Sequence, residues 1–256
     1  MALSAPLYRV YERRLASRIG TDRLPRHIGV ILDGHRRYAR AEGHDDYTPS
    51  YRIGMDKLKE FLGWCAQLEV PAVTAWVLST ENLRRPNEEL DPYFDVLVDL
   101  LNDLPELGAR LGFSLQVIGS VDLLPATLAT AIKQAEQLSP TTGWRFTLAL
   151  GYGGRQEIVD ATRSLVTFLA HSGVDAANLA EHIDANAISS HLYVSDLPDP
   201  DLVIRTSGEA RLSGFLLWQA AYAEYVFVDP YWPAFRRVDF LRALRDYAKR
   251  DRRFGR

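Results

Sequence analysis

Short uninterrupted apolar runs alternate along this chain with longer segments in which apolar residues recur at every third or fourth position. Residues 27–32, 72–78, 113–118 and 144–150 are runs of the buried-strand kind, and 202–204 and 225–228 are shorter candidates. Between them, 51–68, 89–104, 126–137, 155–170 and 238–247 carry the three-to-four periodicity of amphipathic helices. Continuous apolar strands alternating with helices predict an α/β fold: one domain with a central, mostly parallel six-stranded sheet flanked by helices. Residues 1–24 form an arginine-rich amphipathic extension, read as a helix ending at Leu24-Pro25, and residues 25–256 form the domain proper. The extension could pack on the body, on a partner, or, with weaker support, on a membrane surface.

Composition adds little to this picture until the cations are examined. The chain has 256 residues, 47% of them hydrophobic, which suits one well-buried domain. No run approaches the roughly 20 apolar residues of a bilayer span, and the first residues lack a signal-peptide core, so a cytoplasmic protein without stable membrane insertion is expected. A formal net charge of −3 argues against a nucleic-acid partner. The single cysteine, Cys65, falls at helical spacing with Met55, Leu58 and Leu62 and reads as a core thiol. Of the 30 basic residues only Lys57, Lys59, Lys133 and Lys249 are lysines. Genome composition accounts for most of that bias at surface positions. At particular positions, though, a guanidinium fork is the group that grips phosphate.

The unusual residues cluster just after the predicted strands, where parallel sheets bind their ligands. Asp33-Gly34-His35-Arg36-Arg37 follows the first strand, Ser79-Thr80-Glu81-Asn82 the second, Gly151 to Arg155 the fourth, and Arg205 to Glu209 the fifth. Asp33 stands where a helix begins, so the amides of His35, Arg36 and Arg37 could cradle an anion, and a magnesium ion could bridge the carboxylate to a diphosphate. The competing reading is that Asp33 caps the helix. Arg205, Arg211 and Ser213 suit a ligand with several phosphate oxygens; the competing reading is a solvated loop. Glu224, in an apolar stretch, is a metal ligand or half of an ion pair. A nucleotide P-loop, a zinc motif and a dinucleotide fingerprint are all missing.

These segments together resemble the cis-prenyltransferase (undecaprenyl diphosphate synthase) family. Residues 25–39, Leu78 to Asn82 with Arg85-Pro86, Gly151 to Arg155, Asp199 to Gln219, and Ala221 to Glu224 with Trp232-Pro233 are similar to its successive signatures, from about Leu24 to the end. The resemblance implies condensation of isopentenyl diphosphate with an allylic diphosphate, with Mg2+ as cofactor, in a homodimer. Asp33 would hold magnesium and orient the departing diphosphate, with Glu224 as a second metal contact. The backbone of Gly34, His35, Arg36 and Arg37 and the Arg37 side chain would bind the allylic diphosphate, with Arg40 as a neighbour, and Tyr38, Tyr51 and Arg85 would be further substrate-binding residues. Arg205, Arg211 and Ser213 would hold the acceptor diphosphate, completed by Arg253 and Gly255 of the neighbouring subunit. Ser79 and Asn82 would order the loop over the reacting carbons.

Several positions depart from long-chain members: His35 stands for asparagine, Arg36 for glycine, Tyr38 and Leu83 for tryptophan, Tyr51 for histidine, Gly151 for asparagine and Ser207 for glycine. Tyr51, Gly151 and Ser207 are similar to an actinobacterial short-chain branch that makes Z-farnesyl diphosphate, and Val77, where long-chain enzymes tend to have alanine, would narrow a product tunnel. The expectation is a short product made from geranyl diphosphate. Long-chain synthesis, irregular lavandulyl-type coupling and a non-catalytic partner subunit are the alternatives.

Overall fold

The computed structural model describes residues 23–249 together with Glu12, Arg14 and Leu15. The rest of the predicted N-terminal extension, and Arg253 and Gly255, lie outside the described residues. Six strands form one sheet: β1 (His27–Ile31), β2 (Ala72–Ser79), β3 (Phe113–Ile118), β4 (Trp144–Tyr152), β5 (Leu202–Arg205) and β6 (Glu224–Phe227). Their order is β3-β4-β2-β1-β5-β6 and every pairing is parallel. Around it run α1 (His35–Ala41), α2 (Thr48–Gln67), α3 (Asn87–Leu111), α4 (Ala126–Leu138), α5 (Gly154–His171), α6 (Ala185–Ser190) and α7 (Arg237–Ala248).

The period of two along the strands sorts side chains onto two faces. Ile28, Val30, Val73, Ala75 and Val77 join the larger apolar cluster under α2, α3, α4 and α7, and Cys65 is buried there. Ile31, Trp76 and Val203 join a smaller cluster on the opposite face, with Phe215, Leu216 and Ala220. Gly29 shows why that face needs a residue without a side chain: an added Cβ would lie 2.9 Å from the ring of Phe215. Helix α3 runs past Pro92 and Pro105 and ends seven residues beyond the predicted Leu104. Each proline removes one backbone bond. Burial of Leu97, Leu100, Leu101, Leu104 and Leu107 on one side of the same helix outweighs that loss.

Strand order decides where the site lies. The chain leaves β1 toward β2 on one side and leaves β5 toward β6 on the other, so the carboxyl ends of β1 and β5 flank a topological switch point. The amino edge is closed by polar groups instead. Asp201 accepts from the backbone of Arg26 and His27 at 2.6 and 3.3 Å, while the His27 ring bonds the Pro198 carbonyl at 2.7 Å and Thr74 Oγ1 at 2.8 Å.

Burial lowers the pKa of His27 below its ordinary value, and the Pro198 bond and the Asp201 charge only partly oppose this. The unfolded chain therefore takes up this proton at a higher pH than the folded one, so stability is complete above about pH 6.5 and falls as pH drops below it. Denaturant unfolding at pH 7.5 and 5.5 is expected to show a loss, and H27Q is expected to make it smaller. Equal losses in the two proteins would exclude His27 as the source.

Candidate active site

Asp33 emerges from β1 into the switch point, and its two carboxylate oxygens are claimed by different elements. Oδ1 accepts from Arg37 of α1 at 2.9 Å, and Oδ2 accepts from Arg205, the last residue of β5, at 2.7 Å. Asp33 is not the helix cap: that position belongs to Gly34, whose φ of 108° is the left-handed conformation that favours glycine. The first intrahelical bond of α1 runs from Tyr38 N to Gly34 O, so the amides of His35, Arg36 and Arg37 precede the helical ladder. Burial pushes the Asp33 carboxyl up, but Arg205 and Arg37 together outweigh it and hold the group below the ordinary carboxylate value.

Arg205 is 5% exposed, and its other arm donates to Ser213 Oγ at 2.8 Å and to the carbonyl of Arg211. Glu209 accepts from Arg37 at 2.9 Å and pairs with Arg211 at 3.1 Å, which ties the two arginine groups together. Ser207 accepts a further bond from Arg37 at 2.8 Å while holding φ at 78°, and Ser213 and Leu216 also have positive φ, at 51° and 44°. Non-glycine residues in that region are strained, and here they lie together on the loop that carries Arg211 and Ser213.

A cavity of about 470 Å³ opens beside this cluster. Asp33, Gly34, His35, Arg36, Arg37 and Arg40 line it, as do Tyr51, Ser79, Asn82, Arg85, Arg205, Arg211 and Ser213, each anticipated from the sequence. Ile31, Leu32, Trp76, Val77 and Tyr93 supply its apolar wall. Register shifts between Trp76 and Ser79, next to this wall, aim Ser79 at the loop, where its Oγ accepts from Asn82 N at 3.2 Å. Arg85 pairs with Glu89 at 3.0 Å, and Tyr51 donates to the same carboxylate at 2.7 Å while stacking on Tyr93. Six guanidinium groups (Arg36, Arg37, Arg40, Arg85, Arg205, Arg211) thus face three carboxylates (Asp33, Glu89, Glu209), an excess of positive charge that suits polyanionic ligands.

Two expectations need correction. Tyr38 does not line the cavity: at 100° per residue it is turned away from the side of α1 that carries Arg36, Arg37 and Arg40. Glu224 does not join Asp33 within this chain. It opens β6 in register with Leu202 rather than Arg205, about 10 Å short of the carboxyl edge at about 3.3 Å per residue. Among the described residues there is no group of three or more metal-ligating side chains.

His35 lines the cavity, but its ring is buried. Burial pushes its pKa down to about 4, with Arg85 acting in the same direction against Asp33 and a Leu32 backbone bond. Its Nε2 is buried without a partner against α2, where a Cβ on Gly54 would lie 2.1 Å away. The ring is therefore neutral near pH 7 and packs on a glycine instead of presenting a base to the cavity.

Glu157, in the first turn of α5, went unnoticed in the sequence because its i, i+3 and i+4 neighbours look like any amphipathic helix. It is 1% exposed and accepts from Tyr152 at 2.5 Å, Gln219 at 3.0 Å and Tyr193 N at 3.1 Å. Burial pushes its carboxyl above the ordinary range, against these three hydrogen bonds. Through Gln219, and through Gly154 N donating to Gly214 O at 2.9 Å, α5 anchors the loop that presents Arg211 and Ser213.

The family model described as "Putative undecaprenyl diphosphate synthase" matches residues 31–255. The chain belongs to the cis-prenyltransferases. It is 51% identical to "Isoprenyl transferase 1" of Corynebacterium diphtheriae over 97% of this chain and 93% of that one. It is 49% identical to "(2Z,6E)-farnesyl diphosphate synthase" of Thermobifida fusca over 99% of this chain and 98% of that one. The fold superimposes with a TM-score of 0.86 on lavandulyl diphosphate synthase from Lavandula x intermedia, crystallised with dimethylallyl diphosphate, at 34% identity over 92% of this chain and 100% of that one. The cis-prenyltransferase fold is thus the frame for the arginine cluster, and this chain is an enzyme of prenyl transfer.

Ser207→Gly relieves backbone strain but deletes the acceptor of Arg37, so stability and binding should move oppositely. The expected result is a melting temperature higher by about 2 °C with pyrophosphate bound about three- to tenfold more weakly. Unchanged binding would show that the hydroxyl does not position Arg37. For Glu157→Ala, with folding checked by circular dichroism, we expect the KM for isopentenyl diphosphate to rise about tenfold with little change in the KM of the allylic partner. An equal rise in both would remove the anchoring role.

Proposed function

We propose that this enzyme condenses isopentenyl diphosphate with a short allylic diphosphate, geranyl diphosphate in the first instance, to give a short Z-configured prenyl diphosphate and diphosphate. The observation that carries this is Asp33 bridging Arg37 and Arg205 at the entrance to an apolar-walled cavity. Two guanidinium groups on opposite sides of one carboxylate provide two neighbouring diphosphate sites, and a prenyl chain fits the wall between them. Arg37, with Gly34 to Arg36, Arg40 and Arg85, serves the allylic diphosphate; Arg205, Arg211 and Ser213 serve the acceptor.

Breaking the allylic C–O bond develops negative charge on the departing diphosphate. Arginines already in place stabilise that charge without reorganising. One carboxylate with no protein cage around it fits a magnesium ion that is shared with substrate phosphates, and Asp33 would hold it. Bound there, magnesium would neutralise diphosphate charge. Tyr51 is a poor base, since burial and its bond to Glu89 both raise its pKa. With His35 turned toward Gly54, a diphosphate oxygen is the base assigned here to the acceptor's proton.

The short product is supported by the name of the Thermobifida fusca relative and by Val77 in the cavity wall. Retention of Asp33, Arg37, Arg205 and Arg211 counts against a non-catalytic subunit. A homodimer is part of the same reading. It is supported by the exposed Tyr222 just before the edge strand β6 and Phe227 at its end, while the parts assigned to Glu224, Arg253 and Gly255 rest on the resemblance alone. Cytoplasmic placement is proposed on the same basis; no helix among the described residues is long and apolar enough to cross a membrane.

The test is incubation with magnesium, labelled isopentenyl diphosphate and dimethylallyl, geranyl or farnesyl diphosphate in turn, with products dephosphorylated and identified by mass spectrometry. A single Z-farnesyl product from geranyl diphosphate is expected. A ladder of long chains would overturn the Val77 argument, and a branched product from dimethylallyl diphosphate alone would place the enzyme with the lavandulyl type. Asp33→Ala is expected to lower turnover by at least about 100-fold, the scale for a lost electrostatic stabiliser, with a much smaller loss of allylic binding. Near-full activity would remove Asp33 from the mechanism.

A further inference from the structure

Four of the six cavity arginines are neutralised by a close carboxylate: Arg37 and Arg205 by Asp33, Arg85 by Glu89, and Arg211 by Glu209. Arg36 and Arg40 are held in another way. They stand four apart on α1 and share one side of it. Both guanidinium groups lie over the ring of Tyr47, the residue that precedes α2, at 5.1 and 5.8 Å from its centroid. Arg40 also donates to the Tyr47 hydroxyl at 3.0 Å. The nearest carboxylate to Arg36 is Glu89, whose oxygen is 3.8 Å from Nε, an ion-pair distance but too long for a hydrogen bond. Arg36 Nε is a buried donor without a partner. Among the described residues Arg40 makes no ion pair with a carboxylate.

The difference matters chemically. A carboxylate that pairs with an arginine occupies its in-plane N–H groups, and an incoming phosphate must displace it. A ring occupies the face of the guanidinium and leaves most of the in-plane donors directed elsewhere. Tyr47 is itself fixed, since its ring packs on the main apolar cluster and meets Tyr51 edge-on at 6.4 Å. The two guanidinium groups lower the pKa of its phenol, chiefly through the hydrogen bond from Arg40.

We propose that Tyr47 is a positioning residue, an aromatic platform that pre-orders Arg36 and Arg40 as a phosphate clamp at the mouth of the cavity. The clamp takes the diphosphate of the substrate that enters beside α1. Assigning that substrate as the allylic one rests on the function proposed above; the clamp itself does not. Its ligand is a diphosphate group, and the ring contributes nothing to the acceptor side, where Arg205 and Arg211 are held by carboxylates and by the 211–219 loop.

The test uses the full-length protein and three variants, Y47F, Y47L and Y47A, with folding checked by circular dichroism and thermal melting. Inorganic pyrophosphate is titrated by calorimetry, and KM and kcat are measured for isopentenyl and geranyl diphosphate. Y47A and Y47L are expected to weaken pyrophosphate binding about tenfold, the scale of two lost cation–π contacts. They should raise the KM for geranyl diphosphate to match, with kcat and the isopentenyl KM within about twofold. Y47F keeps the platform and loses one hydrogen bond, so it should stay within about threefold of wild type. If Y47A melts early, the bulkier Y47L decides. Pyrophosphate bound normally by folded Y47L, or a matching rise in both KM values, would overturn the proposal. If no primer is turned over by any of the proteins but Y47L still loses pyrophosphate affinity, the clamp stands and the prenyl-transfer reading is what fails.

Discussion

The structure depends on one partly buried ion cluster, a single carboxylate shared between guanidinium groups on two non-consecutive elements. Arg205 is almost fully removed from water at the end of β5, and an unpaired charge there would cost several kcal/mol. Asp33 is its carboxylate partner and Ser213 its hydroxyl partner. The arrangement holds only if β1 and β5 are neighbours. Their parallel register ends with Ile31 beside Arg205, and Thr206 reinforces it by accepting from Asp33 N at 3.0 Å and donating to Asp33 O at 2.7 Å. Electrostatics and sheet topology thus specify the same juxtaposition.

What surrounds that cluster is arranged to stay open to anions. The loop from Ser207 to Leu216 carries three non-glycine residues in left-handed conformation, a concentration of strain that only over-determined surroundings sustain. Those surroundings are identifiable. Ser207 N bonds the Pro230 carbonyl at 2.8 Å, Gly214 O receives the amide of Gly154, and Gln219 reaches the buried Glu157. The small apolar cluster centred on Trp76 stacked against Phe215 closes the loop from beneath. Strain at the site is therefore offset by packing and hydrogen bonds on the far side of the sheet.

The cavity mouth uses three ways of holding an arginine. Burial with a carboxylate fixes Arg205, partial exposure with a shared carboxylate fixes Arg37 and Arg211, and stacking on a ring fixes Arg36 and Arg40. Each leaves a different number of donors for a ligand. The proposed reaction, in which the site accepts two diphosphates and releases one, gains from that range, because groups held by a carboxylate regain a partner when the product leaves.

The sequence alone determined the alternation of buried strands and amphipathic helices, because the periods of two and 3.6 are written locally in which positions are apolar. It also determined that Asp33, the arginines, Ser79 and Asn82 lie at or beyond the carboxyl ends of strands, because a strand's direction fixes which end follows it. Tertiary structure decided the rest. The strand order placed β5 beside β1, and so brought Asp33 to Arg205 across 172 positions. Register put Glu224 beside Leu202 at the amino edge, away from Asp33. The turn of α1 sent Tyr38 away from the cavity and set His35 on Gly54. Glu157 and Tyr47 were illegible for the same physical reason: each acts through partners distant in sequence or through the face of a ring, and neither leaves a spacing to be read.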